Sequence, residues 1–196
     1  MFNKPLFHIA LAFLSIIGAQ LSQQLQGDIS QNKTSLDDQV LEIKKNIVGG
    51  GTIDLIDATT ERVDGICSFD KNKLQTGRAF IFDKISVGYQ YGATAGLEGK
   101  LSYSRALPAE LQNALFIINQ NGREVLRMPM IDLTNLAAGQ KAADQYSELN
   151  SLSFLADDKT LTMQIKFAPG VSLPVTAGTE HYIYVRLSGL QTTVKA

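Results

Sequence analysis

The side chains able to do chemistry are few in this chain, and their spacing argues against an active site. His181 is the only histidine beyond residue 8, and it stands beside Tyr182 at the start of a strand-like run. A serine triad needs a histidine next to an activated serine, and no G-x-S-x-G turn occurs. Asp37-Asp38 and Asp157-Asp158 are adjacent pairs. Neighbours along a strand point to opposite faces, so such a pair marks a turn or a helix cap more than an acid–base dyad. Asp54, Asp57, Glu61 and Asp64 lack the Asp-x-Asp-x-Asp-Gly order of a calcium loop. Cys67 is the sole cysteine, which excludes an intrachain disulfide and a cysteine-rich zinc site; a small buried apolar side chain is its expected role. Gly49, Gly50 and Gly51 could be mistaken for a phosphate cradle, but that loop follows a strand and ends in Lys-Ser/Thr. Neither condition holds, and the triple glycine reads as a hinge. Tyr89, Tyr91 and Tyr103 surround a glycine-rich loop over 92–99; they suit either a sugar-binding platform or a subunit interface, where tyrosine is enriched. No enzyme, cofactor or metal site is expected.

The elements that would carry these residues follow from composition and period. The 196 residues are 44% apolar and 19% charged, enough for one globular core with an appendage. Net charge is -1, with 18 basic and 19 acidic residues, so nucleic acid is not expected as a specific partner. Sixteen glycines and six tyrosines without tryptophan fit a turn-rich β protein.

Residues 1–48 read as a helical arm. An apolar segment covers 5–26, and Leu14, Ile17, Leu21 and Leu25 keep a helical stripe beyond its most apolar part. A short basic start, an apolar run and small residues at Gly18 and Ala19 also fit a secretory signal or lipid anchor, with Gln20 as the residue after cleavage. Both readings stay open. Ser35 and Asp38 look like a helix cap, and Leu36, Val40, Ile43 and Ile47 predict an amphipathic helix over about 36–47. The hinge at 49–51 would then lead into a β domain over 52–196.

In that domain Asn121-Gly122 predicts a two-residue hairpin turn joining 115–120 to a second arm, with Gln120 facing Arg123 and Ile118 facing Val125. Pro129 suggests an edge or a bulge. Runs at 53–56, 66–69, 78–91, 152–155 and 182–187 read as strands, and 161–167 alternates apolar and polar residues. Residues 133–146 read as a long excursion. About eight short strands without alternating helices favour a single antiparallel sandwich of jelly-roll type over a parallel sheet.

The hairpin Phe116 to Met128, the run Asp157 to Gly170 and the closing strand Tyr182 to Gly189 resemble the jelly-roll capsid proteins of small tailless icosahedral bacteriophages, over about residues 75–190. The resemblance implies a virion structural protein, coat or vertex, that self-assembles into an icosahedral shell with itself and other virion proteins as partners. It also implies an arm that ties neighbours together or touches an internal membrane, so membrane lipid is a candidate partner through residues 5–26. Only Lys4 and Lys33 precede Lys44, which argues against genome binding by the arm. The alternative is a secreted or envelope-anchored β-sandwich binding module, carbohydrate its candidate ligand.

Overall fold

The computed structural model describes residues 5–134 and 145–195. Among them the chain forms two four-stranded antiparallel sheets packed as a sandwich, with a short helical segment at the N-terminus. The first sheet runs β1 (Thr34–Ile47), β8 (Glu180–Val194), β3 (Phe80–Gly92), β6 (Ser147–Leu155) in spatial order. The second runs β2 (Thr52–Ile56), β7 (Leu161–Lys166), β4 (Leu115–Gln120), β5 (Arg123–Pro129). The pairings are nested: β1 with β8, β2 with β7, β3 with β6 and β4 with β5. The chain is thus one long hairpin, closed at Asn121-Gly122 and folded over so that alternate pairs fall in opposite sheets.

Alternation along the strands makes the core. Leu161, Met163 and Ile165 of β7 and Phe116 and Ile118 of β4 face Phe80, Phe82 and Ile85 of β3 and Ile183, Val185 and Leu187 of β8. Burial on one face only is what a period of two encodes. The hairpin turn has Asn121 at φ 50° and Gly122 at φ 77°, the left-handed pair that a two-residue loop requires. Gln120 faces Arg123 as expected, but Ile118 faces Leu126 instead of Val125, because the register shifts between Ile118 and Asn119. That bulge places one more residue in β5 than in β4.

Two expectations are overturned. Residues 36–47 are not a helix: all lie in β1, paired residue by residue with β8 from Thr34–Val194 to Ile47–His181. The apparent helical period comes from a strand buried on both faces at different points. Leu36 lies with the N-terminal segment on the outer face, whereas Leu41, Ile43 and Ile47 enter the inner core, and Val40 stays exposed on the outer side. The supposed cap residue Ser35 instead meets Thr193 Oγ1 at 2.7 Å across the strand pair.

Gly49, Gly50 and Gly51 are not a hinge between two bodies. The boundary expected at 48–52 falls inside the sandwich, at a fixed crossing from β1 to β2. Leu173 N donates to Gly49 O at 2.9 Å and Phe167 N to Gly51 O at 2.7 Å. A Cβ on Gly50 would come within 2.3 Å of Val171 O, so close backbone approach explains the residue. The segment that is an appendage to the sandwich ends near residue 33. Residues 135–144, most of the expected excursion at 133–146, lie outside the described residues. The run 66–69 is a short cover on the free edge of β1: Lys44 N donates to Ile66 O and Ser68 N to Glu42 O, both at 2.8 Å.

Candidate functional site

The N-terminal segment is α1 (Pro5–Ile17), a 3-10 turn at Gly18–Gln20 and α2 (Gln23–Ser30). Leu14, Ile17, Leu21 and Leu25, the stripe read from the sequence, are all buried in one cluster with Leu36, Ile81, Phe154 and Leu190 from the outer face of the first sheet. Phe13 meets the Phe154 ring edge-on at 5.6 Å. This cluster is separate from the sandwich core. The segment is therefore a second layer laid on the sheet.

A buried carboxylate fastens it. Asp157 is fully buried, and its Oδ1 accepts the Ser22 backbone N–H at 3.0 Å, while Oδ2 accepts the Ser22 hydroxyl at 2.5 Å and Gly77 N–H at 2.7 Å. Ser22 is also the N-cap of α2, its Oγ accepting from Leu25 N at 3.2 Å. A buried carboxylate is tolerable only with such partners. One side chain thus ties the loop before β3 to the joint between α1 and α2. Nothing in the sequence signals this role. The Asp-Asp turn is legible, but the partners stand 135 and 80 residues away.

The outer side of α1 is largely apolar too, with His8 and Ser15 as its exposed polar residues. Residues 5–27 contain no Asp, Glu, Lys or Arg, and Ile9 is 54% exposed, Leu11 46% and Ile16 79%. Ile9, Ala12 and Ile16 follow at spacings of three and four and so share one side of the helix. A helix apolar all round is normally buried all round. Here one side meets the sheet and the other is bare. Thirteen residues make about 20 Å of helix, against a hydrocarbon layer of about 30 Å. Among the described residues no helix is long and apolar enough to cross a membrane.

The three candidate tyrosines do not form a platform. Tyr89 is buried, and its hydroxyl meets His181 Nδ1 at 2.5 Å while His181 Nε2 lies 2.9 Å from Pro174 O. A carbonyl only accepts, so Nε2 donates to it and Nδ1 accepts from the tyrosine. His181 is therefore a structural link between β8 and the loop before it. Tyr103, at φ 52°, is buried over Gly88 on the opposite face of β3, with its hydroxyl donating to Glu98 O at 2.8 Å. Only Tyr91 is exposed, beneath the Arg105 guanidinium at 3.9 Å. Burial pushes the phenols of Tyr89 and Tyr103 above their ordinary range.

Beside Tyr103 the sheet carries a strip absent from the sequence reading. Tyr184 sits between Lys44 at 4.7 Å and Arg186 at 5.1 Å, and donates to the Glu42 carboxylate. Burial and the Glu42 partner raise its phenol well above the usual range. Arg186 donates to Ser86 Oγ and Gln145 Oε1 at 3.1 and 2.9 Å. Tyr184 and the Arg186 Nη2 are paired within this strip, whereas the buried Arg186 Nε has no hydrogen-bond partner among the described residues.

The carboxylates at 54–64 are dispersed. Asp57 Oδ1 accepts from Thr59 N and Oγ1, which lowers its pKa, and Asp54 accepts from Gln164. Among the described residues no three His, Cys, Asp or Glu side chains come together to hold a metal ion. Cys67 is buried, its Sγ 3.6 Å from Phe69 O, and burial raises its thiol pKa. No protein-family model and no curated protein matches the chain.

Proposed function

We propose that this is a virion structural protein of jelly-roll type that self-assembles into an icosahedral shell, with its N-terminal arm as a contact to neighbouring subunits. Copies of itself and other virion proteins are then its partners, and the virion its place. The nested strand pairing supports the jelly-roll reading, since that architecture also winds a long hairpin into two sheets. Such a fold also serves lectins and enzymes, so it does not decide function. The observation that carries the proposal is the bare apolar side of α1: Ile9, Ala12 and Ile16 form a stripe at helical spacing that is exposed among the described residues. An uncovered apolar stripe marks an association surface, and near-neutral net charge favours association.

The test is the native mass of the full chain by light scattering, with negative-stain imaging of the same sample. Closed particles or large symmetric rings are expected, and a chain carrying Ile9→Glu and Ile16→Glu should remain a folded monomer. A clean monomer of the unaltered chain, or unchanged assembly of the double variant, would overturn the proposal.

A further inference from the structure

A groove of about 250 Å³ opens where the arm meets the hairpin tip. One wall is Ala19, Gln20 and Leu21 of the arm; the other is Asn121, Arg123 and Lys159 of the sandwich. Arg123 and Lys159 are the cations among the described residues that line it, and no carboxylate is among them. The acids that flank these cations in sequence have other principal partners: Asp157 pairs with Ser22 and Gly77, Asp158 with Lys73 at 2.8 Å and more weakly with Lys159, and Glu124 with Arg127 at 3.3 Å. Arg123 is also held in place. Its guanidinium lies 4.2 Å over the Phe154 ring, which also meets the Phe13 edge, and Nη2 reaches Phe154 O only at 3.5 Å. Stacking fixes the plane of a guanidinium and leaves its N–H edges free for a paired set of oxygens. Gln120, by contrast, is spent: its amide exchanges two hydrogen bonds with Ala156 at 2.8 and 2.7 Å.

We propose that this groove binds a small oxyanion, carboxylate or phosphate, with two oxygens on the Arg123 fork and the Lys159 ammonium as second charge. The volume is near the lower end for small-molecule sites and several times that of one water. Gln20 and Asn121 are the neutral amides available at its walls. Because one wall is the arm, an anion bound there holds the arm to the sandwich, and arm seating rises with anion concentration. This inference is independent of the shell reading, since a monomer would show it equally.

The full-length chain is titrated calorimetrically with inorganic phosphate and, separately, with citrate, against sodium chloride of matched ionic strength. Saturable binding of either anion, millimolar or tighter, is expected, and which one binds more tightly identifies the source. The Arg123→Gln/Lys159→Gln variant should bind at least tenfold more weakly. Arg123→Lys, which keeps the charge but loses the fork, should also weaken binding severalfold. Arg127→Gln, a neighbouring exposed arginine already paired with Glu124, should bind as the unaltered chain does. Circular dichroism checks that each variant is folded. Hydrogen exchange at Leu25 and Gln26 should slow when the anion is present. No saturable heat with either anion, equal binding by the double variant, or equal loss in Arg127→Gln would overturn the site.

Discussion

Replacing Asp157 by Asn tests the attachment of the arm with little change of shape. The carboxylate accepts from three donors, two backbone N–H groups and one hydroxyl. An amide has only one acceptor oxygen, and its NH2 must face a donor. If the amide oxygen takes the Oδ2 position it keeps Gly77 N–H and the Ser22 hydroxyl, but Ser22 N–H then meets an N–H. If it takes the Oδ1 position, Gly77 N–H is orphaned, while the Ser22 hydroxyl can turn round and accept. Either way at least one backbone donor is buried without a partner. A hydrogen bond to a charged group is worth about 1.5–3 kcal/mol, and the remaining ones weaken when the charge goes, so a loss of about 2–4 kcal/mol is expected. The loss should fall mainly on the arm, whose apolar contacts form a cluster apart from the sandwich core. Native-state hydrogen exchange reads this directly: amides of α2 such as Leu25 and Gln26 should exchange about 30- to 1000-fold faster, while Val185 in the central strand stays within a few-fold. Ser22→Ala, which removes the hydroxyl's donation to Asp157 and the α2 cap, should give a smaller change of about 1–2 kcal/mol in the same amides. If arm and core amides moved together, or the Asn variant lay within about 0.5 kcal/mol of the unaltered chain, the latch would be refuted.

Other outcomes follow from the packing. Gly189→Ala should prevent stable folding, because a Cβ there would stand 2.0 Å from Ile81 O and 2.7 Å from the Phe82 Cα in the adjacent strand; a soluble variant melting within a few degrees of the unaltered chain would contradict the register. A chain beginning at Gly49 should be unfolded by circular dichroism, since it lacks β1 and uncovers β8, whereas retained sheet signal would make β1 dispensable. Tyr89, Tyr103 and Tyr184 should ionise only above the free-phenol value of about 10. Their raised native pKa means that the fold binds those protons more tightly than the unfolded chain does. Their stabilisation is therefore complete below that value and lost as pH rises through the native ones. Tyrosinate absorbance should show these three phenols titrating late and together with unfolding; their titration near the free value in a folded chain would refute it.

Where the physics is local, the sequence was sufficient. Asn121-Gly122 needs only its own two residues to specify a hairpin turn, and β7 needs only alternation to show which side chains are buried. The stripe Leu14, Ile17, Leu21 and Leu25 was legible for the same reason, because one helical surface meets one flat sheet. Reading failed where burial is set by distant partners. In β1, Leu36 is covered by the arm and Ile43 and Ile47 by the opposite sheet. Two separate covers on two faces of a strand gave apolar spacings of four, three and four, which a helix also produces. Pairing with β8 along the whole length of β1 outweighs any helical preference of that segment. The cap signal at Ser35 misled similarly, since a hydroxyl suits a cross-strand contact as well as a helix end: Ser35 and Asp37 both meet the Thr193 hydroxyl.

The site residues were hidden for a related reason. Asp157 looks like a turn residue because it is one; its carboxylate matters only because the arm and the loop at Gly77 both arrive there. Arg123 and Lys159 likewise flank turns where exposed cations are ordinary, and only convergence of three chain segments puts them on one groove. These features share one location, the end of the sandwich where the arm, the hairpin tip and the turn after β6 meet. The tyrosine-rich end instead spends its polar groups internally, on His181, Glu98 and Glu42. At the arm end, by contrast, Arg123 stacks on Phe154 and Ile9 and Ile16 of α1 are exposed among the described residues, which is why the proposed contacts are placed there.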